Sequence, residues 1–263
     1  MTRWRGAVIA FATRHGKAAQ VGPALAPLGA AVLEVTSVDT DALGTFTGSV
    51  PRLLSPEEAA RQKALAALAA APAARFGLGS EGSFGPDPRC PWLLVDEELL
   101  LLRSRDGAVE VVVRERAAAH ALERVVRSEA EVEAFAEEAG FPSHALVLDG
   151  VVGIGDLAVV RRALAVRGEV TLRSDLRAHV NPSRQAVIAA CGRRLAEALA
   201  AECPACGRPG FVPSHAEPGL PCDECRTPTA APRVWLSRCP CGMTRCTPNT
   251  ARASPAECPT CNP

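Results

Sequence analysis

Eight of the 11 cysteines in this 263-residue chain form four close pairs near its C-terminal end. The pairs are Cys203/Cys206, Cys222/Cys225, Cys239/Cys241 and Cys258/Cys261. The first two pairs read C-x-x-C with 15 residues between them, a spacing typical of a four-thiolate zinc ribbon. Each such turn directs two sulfurs toward one tetrahedral ion, at Zn–S distances of about 2.3 Å. The sequence therefore predicts one structural zinc site built from the first two pairs.

The last two pairs read C-P-C and C-P-T-C, with 16 residues between Cys241 and Cys258. This separation predicts a second structural zinc site, in which Cys246 is an alternative ligand to Cys241. The competing interpretation is a disulfide framework, which requires an oxidising compartment. The apolar run 6–12 has only the minimum length for a signal peptide and ends without a small-residue cleavage site. We therefore expect a cytoplasmic protein that ends in a double zinc-ribbon module.

The charge balance argues against a nucleic-acid partner. Lys+Arg and Asp+Glu are equal at 29 each, so no overall basic field attracts a phosphate backbone. From Ala201 onward there are six Arg and five Asp/Glu, and each four-thiolate zinc site would add a charge of about −2. No uncharged apolar stretch approaches the ~18–20 residues of a membrane span. We expect neither nucleic acid nor membrane as a partner, and a structural or protein-docking role for the tail.

The first part of the chain alternates strand-like and helix-like segments, which predicts an α/β domain with a central mixed sheet flanked by helices. We assign residues 1–201 to this domain and 202–263 to the zinc-binding module. The dipeptide Asp106-Gly107, between two apolar runs, predicts a hairpin. Helix-capping patterns predict helices over 56–71 and 128–139, and further helices are expected over 157–166 and from Asn181 to about Ala201.

Three polar clusters in this domain are candidates for binding an anion or a metal. Lys17 closes the turn 13–17 between the first strand and the first helix, where a helix N-terminus and a lysine together hold phosphate. Glu58 and Lys63 lie on the helix that begins at residue 56. Glu81 stands in a Gly-rich segment that we interpret as a turn, where bare backbone lets a metal or phosphate approach. The alternatives are a solvated basic turn, ordinary helix capping and an ordinary tight turn.

A fourth candidate precedes the last helix. Asp175, Arg177 and His179 alternate in an extended stretch, so their side chains could project from one face. An arginine and a histidine near a lysine would suit an anionic substrate, with the histidine as a proton donor. The alternative is a charged surface loop before a helix cap.

Together these motifs resemble the inosine triphosphate pyrophosphatase-like nucleotide hydrolases. The matching features are Ala12-Thr13 with Gly16-Lys17, then E-x-A-x-x-K-A from Glu58 to Ala64, then the acid Glu81. The resemblance implies that Glu58 and Glu81 hold Mg²⁺ and that Lys17 and Lys63 contact the triphosphate. Arg177 and His179 echo a Ser-His-Arg stretch of that superfamily and would bind substrate. The chain departs from the pattern at Glu81, where many members have Asp, at His15, where Asn is expected, and in its cysteine-rich tail.

A second resemblance covers nearly the whole chain. The stretches ATRHGK, VDTDALGTFTGSVPR, SEGSFGPDP, GFPSH, SDLRAHVNPSR and CPACGRPGF with GLPCDEC resemble a bacterial family known only as a domain of unknown function. This resemblance implies no activity, but it implies that the α/β part and the cysteine tail belong to one unit.

Two functions follow from these observations, and whether the protein is an enzyme stays open. The leading hypothesis is an α/β protein that binds a phosphorylated small molecule, such as a nucleoside triphosphate, and hydrolyses it with Mg²⁺. The alternative is a non-enzymatic zinc-ribbon adaptor in which the α/β domain is a docking scaffold.

Overall fold

The computed structural model describes residues 3–40, 54–88 and 90–263. The chain divides into two compact units, Met1–Ala196 and Glu197–Pro263. The sequence predicts a domain boundary after residue 201. This boundary stays a prediction, because a compact arrangement of the backbone does not show which part of the chain folds by itself.

The first unit contains a five-stranded mixed sheet in the order β2-β1-β3-β4-β5. Its first three members are parallel, and β4 and β5 continue it as antiparallel strands. The strands are β1 (Val8–Ala12), β2 (Ala31–Val35), β3 (Phe76–Pro86), β4 (Leu94–Ser104) and β5 (Glu110–Ala118), and the helices of this part are α1 (Ala18–Leu25) and α2 (Pro56–Ala70). The hairpin at Asp106-Gly107 is confirmed, with Gly107 at a positive φ of 72°.

The Gly-rich segment is a strand, so the predicted turn at Glu81 was wrong. Two glycines of β3 let helix α2 lie directly on the sheet: a Cβ on Gly79 would stand 1.8 Å from the carbonyl oxygen of Ala60, and one on Gly77 2.1 Å from that of Ala64. Glycine is needed here for close backbone approach, a use that does not require a turn. Glu81 is consequently fixed and buried within the sheet.

A second, antiparallel sheet follows in the order β6-β9-β7-β8. Two of its strands, β6 and β8, are not predicted from the sequence. The elements are β6 (Glu123–Val126), α3 (Glu129–Glu138), β7 (Leu146–Leu148), β8 (Val151–Ile154), α4 (Leu157–Arg167), β9 (Val170–Ser174) and α5 (Pro182–Ala200). Its core is built from Val132 and Phe135 of α3, Leu146 and Leu172 of the strands and Val160 of α4, all fully buried.

The second unit contains a three-stranded antiparallel sheet, β10-β11-β12. The strands are β10 (Pro213–Pro218), β11 (Pro232–Arg238) and β12 (Thr244–Pro248), and the four cysteine pairs lie in the segments that flank them. The fold class predicted from the sequence is confirmed: an α/β protein with a mixed central sheet, followed by a module with two four-cysteine groups that fits a double zinc ribbon.

Candidate functional site

The edge of the central sheet beyond β1 is a place where α/β proteins bind ligands. Strand β1 pairs with β3 only from Ile9 to Phe11, whereas β3 continues to Pro86. Strands β2 and β3 lie on opposite sides of β1, so the direction in which successive strands are added to the sheet reverses at β1. In α/β sheets, ligands favour the crevice outside the carboxyl ends of the strands at such a switch point. The turn 13–17 and the segment 80–82 of β3 both belong to this region.

Lys17 and Arg184 share one buried carboxylate at this edge. Lys17 Nζ lies 3.0 Å from Glu98 Oε2, and Arg184 Nε lies 2.6 Å from Glu98 Oε1. The side chain of Glu98 is 2% exposed, that of Arg184 3% and that of Lys17 8%. Burial lowers the pKa of Lys17, as do the nearby cations Arg184 and Lys63, while Glu98 acts in the opposite direction. Three charged groups from the turn 13–17, β4 and α5 therefore meet out of water.

Asp96 adds a further carboxylate to this face of the sheet. It lies two residues before Glu98 on β4, so the two side chains share a face, and it is 2% exposed. Its Oδ1 atom has no hydrogen-bond partner among the described residues. Burial, together with the neighbouring Glu98, raises the pKa of Asp96 to about 7, against the opposing effects of Arg184 and Lys17.

Substituting Asp96 should change the pH dependence of stability. The folded pKa of about 7 lies above the ordinary 3.8, so ionisation destabilises the fold progressively as the pH rises through this window. We expect Asp96→Asn to become more stable relative to the wild type by roughly 2 kcal/mol between pH 5 and pH 8. Urea denaturation at the two pH values measures this, with the exposed Asp39→Asn as control. A difference that stays constant with pH would contradict it.

The opposite face of the sheet carries the predicted pair Lys63 and Glu81. Lys63 Nζ on α2 lies 2.5 Å from Glu81 Oε1 on β3, and both side chains are about nine-tenths buried. Lys63 is also close enough to Lys17 to affect the pKa of that lysine. The structure thus brings Lys17, Lys63 and Glu81 into one region, although they come from three separate segments.

Glu58, the other predicted metal ligand, has different partners. Its carboxylate accepts hydrogen bonds from Arg61 and from Gln62, the latter at 2.8 Å. The bonds from Gln62 and Arg61 lower the pKa of Glu58. On an ideal helix, residues five positions apart project about 140° from each other, so Glu58 and Lys63 leave α2 in different directions. Among the described residues, no contact joins Glu58 to Glu81. The role of Glu58 as a metal ligand therefore stays a prediction.

His179 lies near the turn that carries Lys17, whereas Arg177 pairs with Asp175. The guanidinium of Arg177 binds the buried carboxylate of Asp175, with Nη2 to Oδ2 at 2.7 Å. The ring of His179 stacks on that of His15 with centroids 5.1 Å apart and an interplanar angle of 10°. Burial, and then the charge of Arg177, lowers the pKa of His179. Because His15 and Lys17 share one turn, the stacking places His179 beside it.

Sequence reasoning missed Asp96, Glu98 and Arg184. A signal was present: three acidic residues, Asp96 to Glu98, stand directly before four consecutive leucines. Extending the strand toward the N-terminus places Glu98 on the same face as the buried Leu100. A carboxylate at an inward-facing strand position requires a buried partner, which the sequence does not identify.

The cysteine pairs form two four-sulfur groups, but not the groups predicted. One group is Cys203, Cys206, Cys239 and Cys241, and the other is Cys222, Cys225, Cys258 and Cys261. Neighbouring sulfurs from different pairs are 3.5–3.9 Å apart. A tetrahedron with metal–sulfur bonds of about 2.3 Å has edges of about 3.8 Å, whereas a disulfide bond measures about 2.05 Å. All eight thiols are free of disulfides, and each group could hold a metal ion.

The strand order explains this interleaved, or cross-braced, pairing. The first and second pairs precede and follow β10, a six-residue strand about 20 Å long, so one ion cannot join them. The antiparallel register sets Pro213 at the start of β10 opposite Ser237 at the end of β11, which brings Cys239 beside the first pair. Ala253, after β12, bridges to Cys222 at the other end. The prediction that consecutive pairs share an ion was therefore wrong.

The choice between Cys241 and Cys246 is also decided by the strands. Cys241 lies in the turn between β11 and β12 and belongs to the first group, whereas Cys246 lies within β12 opposite Leu236 and belongs to neither group. The two C-x-x-C turns repeat one backbone pattern, in which the backbone N–H groups of Gly207 and Arg226 donate hydrogen bonds to the carbonyls of Cys203 and Cys222.

Among the described helices, none combines the length and apolar character required to cross a membrane.

The fold and its sites define an α/β protein with a buried ionic cluster and a cross-braced pair of metal-binding cysteine groups. The family model described as a domain of unknown function (DUF6671) matches residues 63–263, so the chain belongs to that family. The matched range includes Lys63, Glu81, Glu98 and both cysteine groups. No curated protein and no solved structure matches the chain. The resemblance to inosine triphosphate pyrophosphatase-like hydrolases therefore gains no support from these comparisons.

Proposed function

We propose that the α/β unit binds a phosphorylated small molecule, such as a nucleoside triphosphate, together with Mg²⁺, and hydrolyses it. The observation that carries this proposal is the convergence of Lys17, Lys63 and Glu81 beside the end of β1. Lys63 pairs with Glu81 on one face of the sheet, and Lys17 pairs with Glu98 on the other face. Lys17 is close enough to Lys63 for the charge of Lys63 to lower its pKa, at a sheet edge that favours ligands.

The burial of these groups supports a binding role over a purely structural one. Removing two charges from water costs several kcal/mol for each ion, and a well-packed apolar pair of similar volume often stabilises a fold as much. Here Lys17, Lys63, Glu81 and Glu98 are all at least nine-tenths buried. Asp96, on the face of the sheet that carries Glu98, has an oxygen without a hydrogen-bond partner among the described residues. Perturbed, paired groups of this kind concentrate at functional sites.

The residue types suit phosphoryl chemistry. Lys17, Lys63 and Arg177 supply cations for phosphate oxygens, and Glu81 supplies a carboxylate for the metal. A bound Mg²⁺ would provide a Lewis acid that stabilises the charge developing on the transferred phosphoryl group. His179, which stacks on His15, would donate a proton to an anionic substrate. Glu58 can join the metal only if its side chain leaves Arg61 and Gln62.

The test is a screen of the full-length protein with purine and pyrimidine triphosphates in the presence of Mg²⁺. We expect release of phosphate or pyrophosphate from at least one of them. Lys63→Met and Glu81→Gln should each lower kcat/KM by about 10²-fold or more, since each removes a direct contact to a charged ligand. Glu133→Gln, which alters an exposed ion pair with Arg161, is the matched control and should leave kcat/KM unchanged.

Glu58→Gln decides the role of the remaining predicted ligand. The resemblance predicts that turnover is abolished while the fold stays intact, because Gln keeps its side-chain length but loses the charge. Full activity of this variant would exclude Glu58 from the metal site. If no triphosphate is bound or hydrolysed by the wild type, the hydrolase proposal fails.

The second candidate is a non-enzymatic adaptor that docks through a zinc module in a reducing compartment such as the cytoplasm. Its support is the chemistry of the two cysteine groups: four sulfurs at tetrahedral spacing favour zinc and leave no open position for substrate or water. The absence of triphosphate binding, together with two zinc ions per chain, would favour this candidate.

A further inference from the structure

The face of the sheet opposite Glu81 holds a second pair of carboxylates, Asp96 and Glu98. They stand opposite Phe84 and Gly82 of β3. Gly82 makes room for them: a Cβ at this position would lie 2.5 Å from Glu98 Oε1 and 2.3 Å from Arg184 Nη2. The space occupied by these charged groups therefore depends on the absence of a side chain on β3.

The two carboxylates differ in how they are satisfied. Glu98 uses both oxygens, one toward Lys17 and the other toward Arg184. Asp96 Oδ1 has no partner among the described residues although the residue is 2% exposed. A buried carboxylate oxygen without a hydrogen-bond partner, beside a second carboxylate, is suited to coordinate a cation.

The balance of charge decides what can bind. Two cations, Lys17 and Arg184, face two carboxylates, Asp96 and Glu98, so the group is close to neutral when all are ionised. A bare divalent cation meets the repulsion of Lys17 and Arg184, and a bare polyphosphate meets that of the carboxylates. A complex of both can satisfy every group, because the carboxylates take the metal while the cations take the phosphates.

We propose that Asp96 and Glu98 hold a cation on this face of the sheet, separate from any cation held by Glu81 on the opposite face, and that this cation and a polyphosphate bind only together. Lys17 and Arg184 then pass from Glu98 to the phosphate oxygens. This inference rests on the proposed function and deepens it by naming the metal–polyphosphate complex, rather than the free anion, as the ligand.

Isothermal titration calorimetry of the full-length protein tests this with three probes: MgCl₂ alone, sodium tripolyphosphate alone and both together. We expect tripolyphosphate to bind at least about tenfold more tightly with Mg²⁺ than without it. Asp96→Asn should weaken binding of the pair at least about tenfold. Glu133→Gln, which alters an exposed ion pair, should behave as the wild type.

Each outcome has one meaning. If the wild type binds the pair but Asp96→Asn matches it in affinity, the assignment of Asp96 is wrong and the proposed function stands. Equal affinity for tripolyphosphate with and without Mg²⁺ would overturn joint binding in the same way. If the wild type binds no combination, the proposed function fails and this inference fails with it. A thermal melt of Asp96→Asn shows that the variant is folded, and the affinity of the wild type for tripolyphosphate with and without Mg²⁺ tests joint binding without any variant.

Discussion

Removing metal from the C-terminal module should unfold residues from about 203 to 263 while the α/β part keeps its secondary structure. Zinc binding contributes about 10–16 kcal/mol to the folding of small four-ligand modules, and this module buries few large apolar side chains. Hydrogen exchange with and without a chelator measures the effect for each segment. We expect protection to be lost in β10, β11 and β12 and retained in β1, β3 and β4. Uniform loss over residues 1–200 would show that the tail is integral to the core.

The cross-braced pairing can be tested by counting metal ions in double variants. We expect about two zinc ions per wild-type chain. Cys206→Ser with Cys239→Ser removes two ligands of one group and should leave about one ion, whereas Cys206→Ser with Cys222→Ser damages both groups and should leave none. Pairing of consecutive cysteine pairs predicts the reverse. Cys246→Ser is the matched control, since this exposed thiol belongs to neither group, and it should keep both ions.

The second large effect is expected at Glu98. Glu98→Gln keeps the shape of the side chain but removes its charge, so Lys17 and Arg184 are left buried without a counter-ion. Breaking a buried ion pair from one side typically costs about 3–5 kcal/mol. At about 2–4 °C for each kcal/mol in a domain of this size, the melting temperature should fall by roughly 10 °C.

Denaturation of the metal-loaded protein measures this effect, with Glu133→Gln as a control that should change the free energy of unfolding by no more than about 0.5 kcal/mol. A loss below about 1 kcal/mol for Glu98→Gln would show that water reaches Lys17 and Arg184 and screens them. The opposite sign expected for Asp96→Asn at high pH makes the two variants informative together. The carboxylate of Glu98 is needed by buried cations, whereas one oxygen of Asp96 has no hydrogen-bond partner in the part of the chain that the structure describes.

Local elements could be predicted from the sequence because their determinants are local. Ser55 and Ser128 cap α2 and α3 as the capping patterns predict, accepting hydrogen bonds from the backbone of Glu58 and Glu131. The Asp106-Gly107 hairpin forms because Gly107 adopts a positive φ at no steric cost. The same eight cysteines that the spacing selects form the two metal-binding groups.

Tertiary structure decided everything that depends on which segments meet. The sequence determined that the cysteines come in pairs, since each turn is short, but the antiparallel register of β10 and β11 determined which pairs share an ion. The sequence identified Lys17, Lys63 and Glu81 as candidate site residues, but only the sheet brings them into one region. The same sheet adds three residues that the sequence did not identify: Asp96, Glu98 and Arg184. Spacing along the chain constrains atoms a few residues apart, whereas a contact across 80 or more residues, such as that between Lys17 and Glu98, depends on strand order and helix packing.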